Sequence, residues 1–222
     1  MGNLQAGVIT FPGSNCDRDI HDVLNGMENI SSTLLWHRDP IDKPFDLLVV
    51  PGGFSYGDYL RAGAIARFAK AMQSVREHVA AGRPVIGICN GFQILCEAGF
   101  LPGALIRNVE LKHICKDVEL DTPGGNAFTR ELDRDKTYTI PVSHSDGNFR
   151  ADADTIKALQ DNNQIAFRYR ANPNGSVENI AGVTDKAQKV LGMMPHPERA
   201  ADALTGGTDG RVLLEAFLKV AA

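Results

Sequence analysis

Two short segments of this sequence carry the residue types of thiol chemistry. In Gly87-Ile88-Cys89-Asn90-Gly91, a cysteine sits between two glycines where a continuously apolar run gives way to a helical pattern. Flanking glycines permit a sharp strand-to-helix turn that pushes the central residue out at the strand's C-terminal end. A cysteine placed there meets the positive end of the following helix dipole, which favours thiolate over thiol. The backbone N–H of Asn90 points where an oxyanion would form.

A nucleophilic thiol needs a base, and the base needs a group to orient it. Met194-Pro195-His196-Pro197-Glu198 offers both. Pro197 biases His196 toward extended dihedrals, and in an extended segment residues two apart face the same side. Glu198 can then hold the imidazole nitrogen turned away from the thiol, fixing the tautomer and stabilising the imidazolium. Together these residues predict acyl transfer through Cys89, with His196 as base and Glu198 as its orienter.

The other candidates are weaker. Cys16 also precedes a helix, but polar loop separates it from its strand; Cys96 falls on an inner helix face and Cys115 inside a strand, so both read as core. His144, in Ser143-His144-Ser145-Asp146-Gly147-Asn148, reads as part of a polar substrate loop. His113 and Cys115 lack the second cluster that would complete a metal site, so no metal is assigned. Gly206-Gly207-Thr208-Asp209-Gly210 lacks the Lys and the preceding strand of a phosphate loop and reads as a helix entry.

These groups must be positioned by an ordered scaffold. The 222 residues, 43% of them hydrophobic and 23% charged, suit a single domain spanning 1–222. The net charge of −4, with no basic block, argues against a nucleic-acid partner. No run is long and apolar enough for a membrane span. The start, Met1-Gly2-Asn3-Leu4-Gln5, resembles neither a signal nor a transit sequence, and Ala6 stands where a myristoylation motif needs Ser or Thr. Four cysteines without a CxxC pair fit a reducing compartment, and the cytoplasm is the expected location.

Apolar runs at 5–11, 33–37, 47–50 and 84–88 read as strands. Pro12 to Asn15 form a turn whose Ser14 and Asn15 could cap a helix running to about Gly26, with Ile20, Val23, Leu24 and Met27 on one face. Ile65, Phe68, Met72, Val75 and Val79 form one buried helical stripe. Phe92, Leu95 and Cys96 lie on the inner side of the helix after Cys89. Strands apolar on both faces and linked by helices predict a parallel sheet covered on both sides. Beyond Pro102, strands at 109–120, 137–142, 164–169 and 190–194 suggest a meander, with a helix over 153–160 and a closing helix over 211–220. Asn172-Pro173-Asn174-Gly175 is a tight turn between strands. The expected fold is α/β and flavodoxin-like: a doubly wound, mostly parallel central sheet with helices on both faces and a small antiparallel extension.

Four blocks, in order, resemble the class I, triad-type glutamine amidotransferases, and in particular the glutaminase subunits of phosphoribosylformylglycinamidine synthases. They are residues 11–17, the run Pro51-Gly52-Gly53-Phe54-Ser55-Tyr56-Gly57-Asp58-Tyr59-Leu60-Arg61, residues 87–93, and residues 194–199. The resemblance spans essentially the whole chain, and the 52–61 block separates this subfamily from other amidotransferases.

The resemblance implies Cys89 as nucleophile, His196 as base and Glu198 as orienter, with an oxyanion hole from the backbone N–H groups of Gly53 and Asn90. It implies glutamine contacts from Gly52, Gln93, His144 and Ser145. Where the family usually has Gly and Glu after the histidine, this chain has Ser145 and Asp146. It further implies no cofactor in this chain. ATP, Mg2+ and formylglycinamide ribonucleotide would be used by a large synthetase subunit, assisted by a small accessory subunit. The length suits such a separate-subunit organisation. Rival readings are an amidotransferase subunit of another pathway, against which the 52–61 block argues, and a stand-alone cysteine hydrolase, which would lack His196-Pro197-Glu198. A non-catalytic subunit would have lost Cys, His or Glu.

Overall fold

The computed structural model describes residues 3–222, so the readings that involve Met1 and Gly2 lie outside the described residues. The elements, in chain order, are β1 (Leu4–Thr10), α1 (Asp17–Asn25), β2 (Ile30–Trp36), β3 (Leu47–Val50), α2 (Lys70–Ala80), β4 (Val85–Ile88) and α3 (Asn90–Glu97). There follow β5 (Ala104–Ile106), β6 (Ile114–Asp121), β7 (Tyr138–His144), β8 (Asn148–Arg150) and α4 (Ala153–Asp161). β9 (Ile165–Tyr169), β10 (Ile180–Thr184), β11 (Val190–Met193) and α5 (Asp209–Leu218) complete the chain.

One nine-stranded sheet runs in the order β2-β1-β3-β4-β11-β10-β9-β6-β7. Its first five strands pair in parallel, in the doubly wound flavodoxin-like order, with helices on both faces. Every residue of β3, β4 and β11 is buried, as expected of central strands covered on both sides. The remaining four strands pair antiparallel and continue the same sheet from β11.

Several local expectations change. The run 109–120 is not one strand. Leu111 takes a left-handed φ of 57° and ends a turn, so β6 starts only at Ile114. Three short strands, β5, β8 and β10, gave no separate sequence signal. The 65–79 stripe is broken at Ala69, whose ψ of 148° is extended; a 3-10 turn precedes the break, α2 follows it, and Phe68 is exposed. Neither Ser14 nor Asn15 caps α1: Cys16 occupies that position, and Ser14 Oγ accepts from the Phe11 N–H instead. Cys115 is exposed and not core, because it lies on the outward side of β6.

Candidate active site

Parallel pairing brings the C-terminal ends of β3, β4 and β11 to one edge of the sheet. β3 runs into Gly52 and Gly53, β4 into Cys89, and β11 through Pro195 into His196. The Cys89 N–H donates to the Met193 carbonyl at 2.8 Å, holding the β4 and β11 exits side by side.

Cys89 occupies φ 50°, ψ −105°, a region that residues with side chains rarely enter. Such strain costs on the order of 1–3 kcal/mol and persists only where surrounding packing enforces it. The two glycines do the enforcing, through close approach and not through their own dihedrals. A Cβ on Gly91 would stand 1.8 Å from the Val50 carbonyl oxygen, and one on Gly87 2.4 Å from Leu95 Cδ1. α3 can therefore start directly against β3.

His196 is extended, at φ −103°, ψ 87°, but Pro197 opens a 3-10 turn over Pro197–Ala200. The Glu198 carboxylate thus folds back from the turn instead of projecting along a strand, and its Oε1 lies 2.6 Å from His196 Nδ1. Both side chains are buried. Burial alone would lower the pKa of His196. The Glu198 carboxylate, with the sulfurs of Cys89 and Cys16, outweighs burial and holds the imidazole well above its ordinary value. The Nε2 atom is buried with no hydrogen-bond partner of good geometry among the described residues. The Cys89 thiol donates to the Ser143 carbonyl at 3.6 Å.

Neither the Gly53 N–H nor the Asn90 N–H donates to a partner among the described residues, so both remain available to an oxyanion. Gly53, at φ 146°, pairs with Ser14 in an isolated antiparallel bridge, and a Cβ there would meet Gly13 O at 2.7 Å. Gln93, His144 and Ser145 line a cavity of about 150 Å3 together with Gly53, Phe54, Asp58, Cys89, Arg107, Ser143 and Asp146. Gly52 does not line it. A side chain at that position would run into His196 Cε1 at 2.7 Å and Cys16 Sγ at 3.1 Å, so the missing side chain makes room for the imidazole.

Three features escaped the sequence. The Asn90 side chain is a tether: its Oδ1 accepts from the Ser55 N–H at 3.1 Å, and its Nδ2 donates to Gln93 Oε1 at 2.9 Å and Asp58 Oδ1 at 3.3 Å. Asn108 is the hub of the 144–148 loop, accepting from the Gly147 N–H and bonding His144 Nδ1, each at 3.1 Å. Burial, and secondarily the charge of His196, lowers His144 to about 3, so it stays neutral. Cys16 is buried near the imidazole; its sulfur accepts from Arg199 Nη2 at 3.1 Å. Cys16, His196 and Glu198 bring ligand-type atoms within 4.8 Å of one another, a grouping that could hold a soft divalent ion.

Residues 3–207 match the family described as the CobB/CobQ-like glutamine amidotransferase domain. The chain belongs to this glutamine amidotransferase family. It is 54% identical over 218 residues to phosphoribosylformylglycinamidine synthase subunit PurQ of Leptospira interrogans, covering 97% of this chain and 99% of that protein. The corresponding subunit of Prochlorococcus marinus is 51% identical over 221 residues, with 98% and 99% covered. Among solved structures, PurLQS from Thermotoga maritima matches with a TM-score of 0.90 at 38% identity, covering 99% of this chain and all (100%) of that one. A glutamine amidotransferase from Thermotoga maritima, at 18% identity and a TM-score of 0.67, shares the fold. None of the described helices is long and apolar enough to cross a membrane.

Proposed function

We propose that this chain is the glutaminase subunit of a phosphoribosylformylglycinamidine synthase: it hydrolyses glutamine to glutamate and ammonia and supplies the ammonia to a synthetase partner. The observation that carries the reading is Cys89, strained at the end of β4 and lining a small cavity beside the buried His196–Glu198 pair. Identity above one half with two named synthase subunits over nearly their full length supports the pathway.

The Cys89 thiolate attacks the carboxamide carbon of glutamine, and the N–H groups of Gly53 and Asn90 receive the oxyanion. The His196 imidazolium, stabilised by Glu198, gives its proton to the leaving nitrogen as the C–N bond breaks, leaving a γ-glutamyl thioester and ammonia. Water then adds to the thioester carbon, with His196 taking its proton, and glutamate leaves as the Cys89 thiolate is restored. ATP, Mg2+ and formylglycinamide ribonucleotide belong to the synthetase, with a small accessory subunit completing the assembly in the cytoplasm. No cofactor is needed for the steps assigned here.

The test is synthesis by the reconstituted complex. Cys89→Ala should abolish product formation from glutamine while ammonium salt still supports it. Loss of both activities in a folded variant contradicts this division of labour.

A further inference from the structure

The loop over 53–60 is the most strained segment near the cavity. Tyr56, Asp58 and Leu60 all take positive φ, at 55°, 53° and 70°. Several contacts hold it there: Asn90 to Ser55 and Asp58, Tyr56 Oη to His37 Nδ1 at 2.7 Å, and Arg61 to both oxygens of Glu97 at 2.6 Å. Such investment in a loop at a site implies that one of its side chains must be held accurately.

Asp58 is the loop's charged contribution to the cavity wall. It forms no ion pair among the described residues; its one hydrogen bond comes from Asn90 Nδ2. Burial, and then the nearby Asp146 carboxylate, raise it to about 6. His144 adds a buried acceptor without a partner to the same wall. Its Nδ1 faces the Asn108 Oδ1 acceptor and so carries the proton, leaving Nε2 a bare lone pair, buried and unpartnered. The residue is 3% exposed. The one cationic side chain of the lining, Arg107, sits at the rim, 70% exposed, with its Nε 3.8 Å from Asp146 Oδ1.

The wall therefore carries the carboxylates of Asp58 and Asp146 and the bare His144 acceptor, while its free backbone donor, the Gly53 N–H, is taken up by the oxyanion and its single cation, Arg107, lies at the mouth. A free amino acid presents the complement: an ammonium with three donors and a carboxylate. At about 150 Å3 the cavity is small beside the roughly 300–1,000 Å3 of sites for drug-sized ligands, and suits a ligand of amino-acid size. We propose that Asp58 recognises the α-ammonium of glutamine, with His144 Nε2 as a further acceptor, and that Arg107 receives the α-carboxylate at the rim. Asp58 is thus a specificity-determining residue that admits free glutamine and excludes amides lacking the ammonium. This rests on the glutaminase reading above.

The experiment compares glutamine with 5-amino-5-oxopentanoate, its analogue without the α-amino group, in the complex with the synthetase subunit. The wild type should prefer glutamine by about 100-fold in kcat/KM, the scale of a lost partner for a partly buried charge. In Asp58→Asn the KM for glutamine should rise by a similar factor while turnover of the analogue stays within a few-fold, so the preference collapses. Equal losses on both substrates, or an unchanged preference, overturn the proposal and leave Asp58 a structural strut for Asn90. Should the variant fail to fold, the wild type decides alone: equal use of both substrates overturns it. No turnover of either substrate by the wild type, with no covalent adduct on Cys89, overturns the glutaminase reading and this inference with it.

Discussion

Two buried thiols stand beside one imidazole in this molecule, and their surroundings differ in nearly every other respect. Cys89 and Cys16 each precede a helix, and each sulfur favours the charged form of His196. Cys16, at φ −109°, ψ 8°, is relaxed, donates to Asn15 Oδ1, accepts from Arg199 and is absent from the cavity wall. Cys89 is strained, directly precedes Asn90 with its free N–H, and lines the cavity together with Gly53, whose N–H is also free. Proximity to a base is therefore not enough to make a nucleophile. A substrate-sized space and oxyanion donors must meet the sulfur as well.

The largest effect that could break this comparison is on chemistry itself. Cys89→Ala should lower glutamine hydrolysis in the complex by about 10^6-fold, the scale seen when a hydrolase nucleophile is removed. Cys16→Ala should stay within about tenfold, the loss of one charge-assisted hydrogen bond. Steady-state ammonia release measures both, and comparable losses would erase the distinction. Next in size, Glu198→Gln should cost about 10^4-fold, mainly in kcat, because the imidazole loses its orienting carboxylate and the partner of its charge. Removing that carboxylate also removes the main influence opposing burial at His196. The ring's protonation should then shift toward lower pH, seen as a downward move of the limb governed by His196 in the pH–rate profile. An unmoved limb would detach Glu198 from His196.

How far these features could be read from the sequence depended on how local their signals are. The parallel half was legible because β1, β3 and β4 are short, apolar on both faces and separated by amphipathic helices, so each carries its own signal. Cys89, His196 and Glu198 stood out because glycine and proline mark their positions. The antiparallel half was less legible. β10 begins just after a left-handed Glu178–Asn179 pair that no residue pattern announces, and β5 and β8 exist mainly by pairing with each other. The long-range side-chain tethers of Asn90 and Asn108 span 32 to 39 residues and leave no periodicity to detect. The same holds for Cys16, which meets Arg199 across a separation of 183 residues.

A third prediction tests whether packing imposes the strain at Cys89. In Gly91→Ala the new Cβ must move away from the Val50 carbonyl, a backbone atom that cannot rotate aside. Overpacking of this kind costs about 1–3 kcal/mol. For a chain of this size each kcal/mol lowers Tm by roughly 2–4 °C. Activity should fall further than stability alone explains, because α3 and the Asn90 N–H move together with the elbow. A variant with wild-type Tm and turnover would mean that the elbow does not depend on this contact.

The smallest effect concerns reactivity without turnover. Burial raises the Cys16 thiol, and the Glu198 charge adds to that; His196 and Arg199 oppose it without cancelling it. A raised value means less thiolate at any given pH, so Cys16 should resist alkylation at neutral pH and react only as the medium becomes more alkaline. Cys115 is exposed and should label freely, while Cys96 is pushed upward by burial and should not. Brief treatment with a small alkylating agent at pH 7, followed by peptide mass spectrometry, should find adducts on Cys89 and Cys115. A glutamine-like electrophile narrows the comparison further, since only a thiol on the cavity wall can meet it. That adduct should fall on Cys89 alone; finding it on Cys16 would reverse the roles of the two sulfurs.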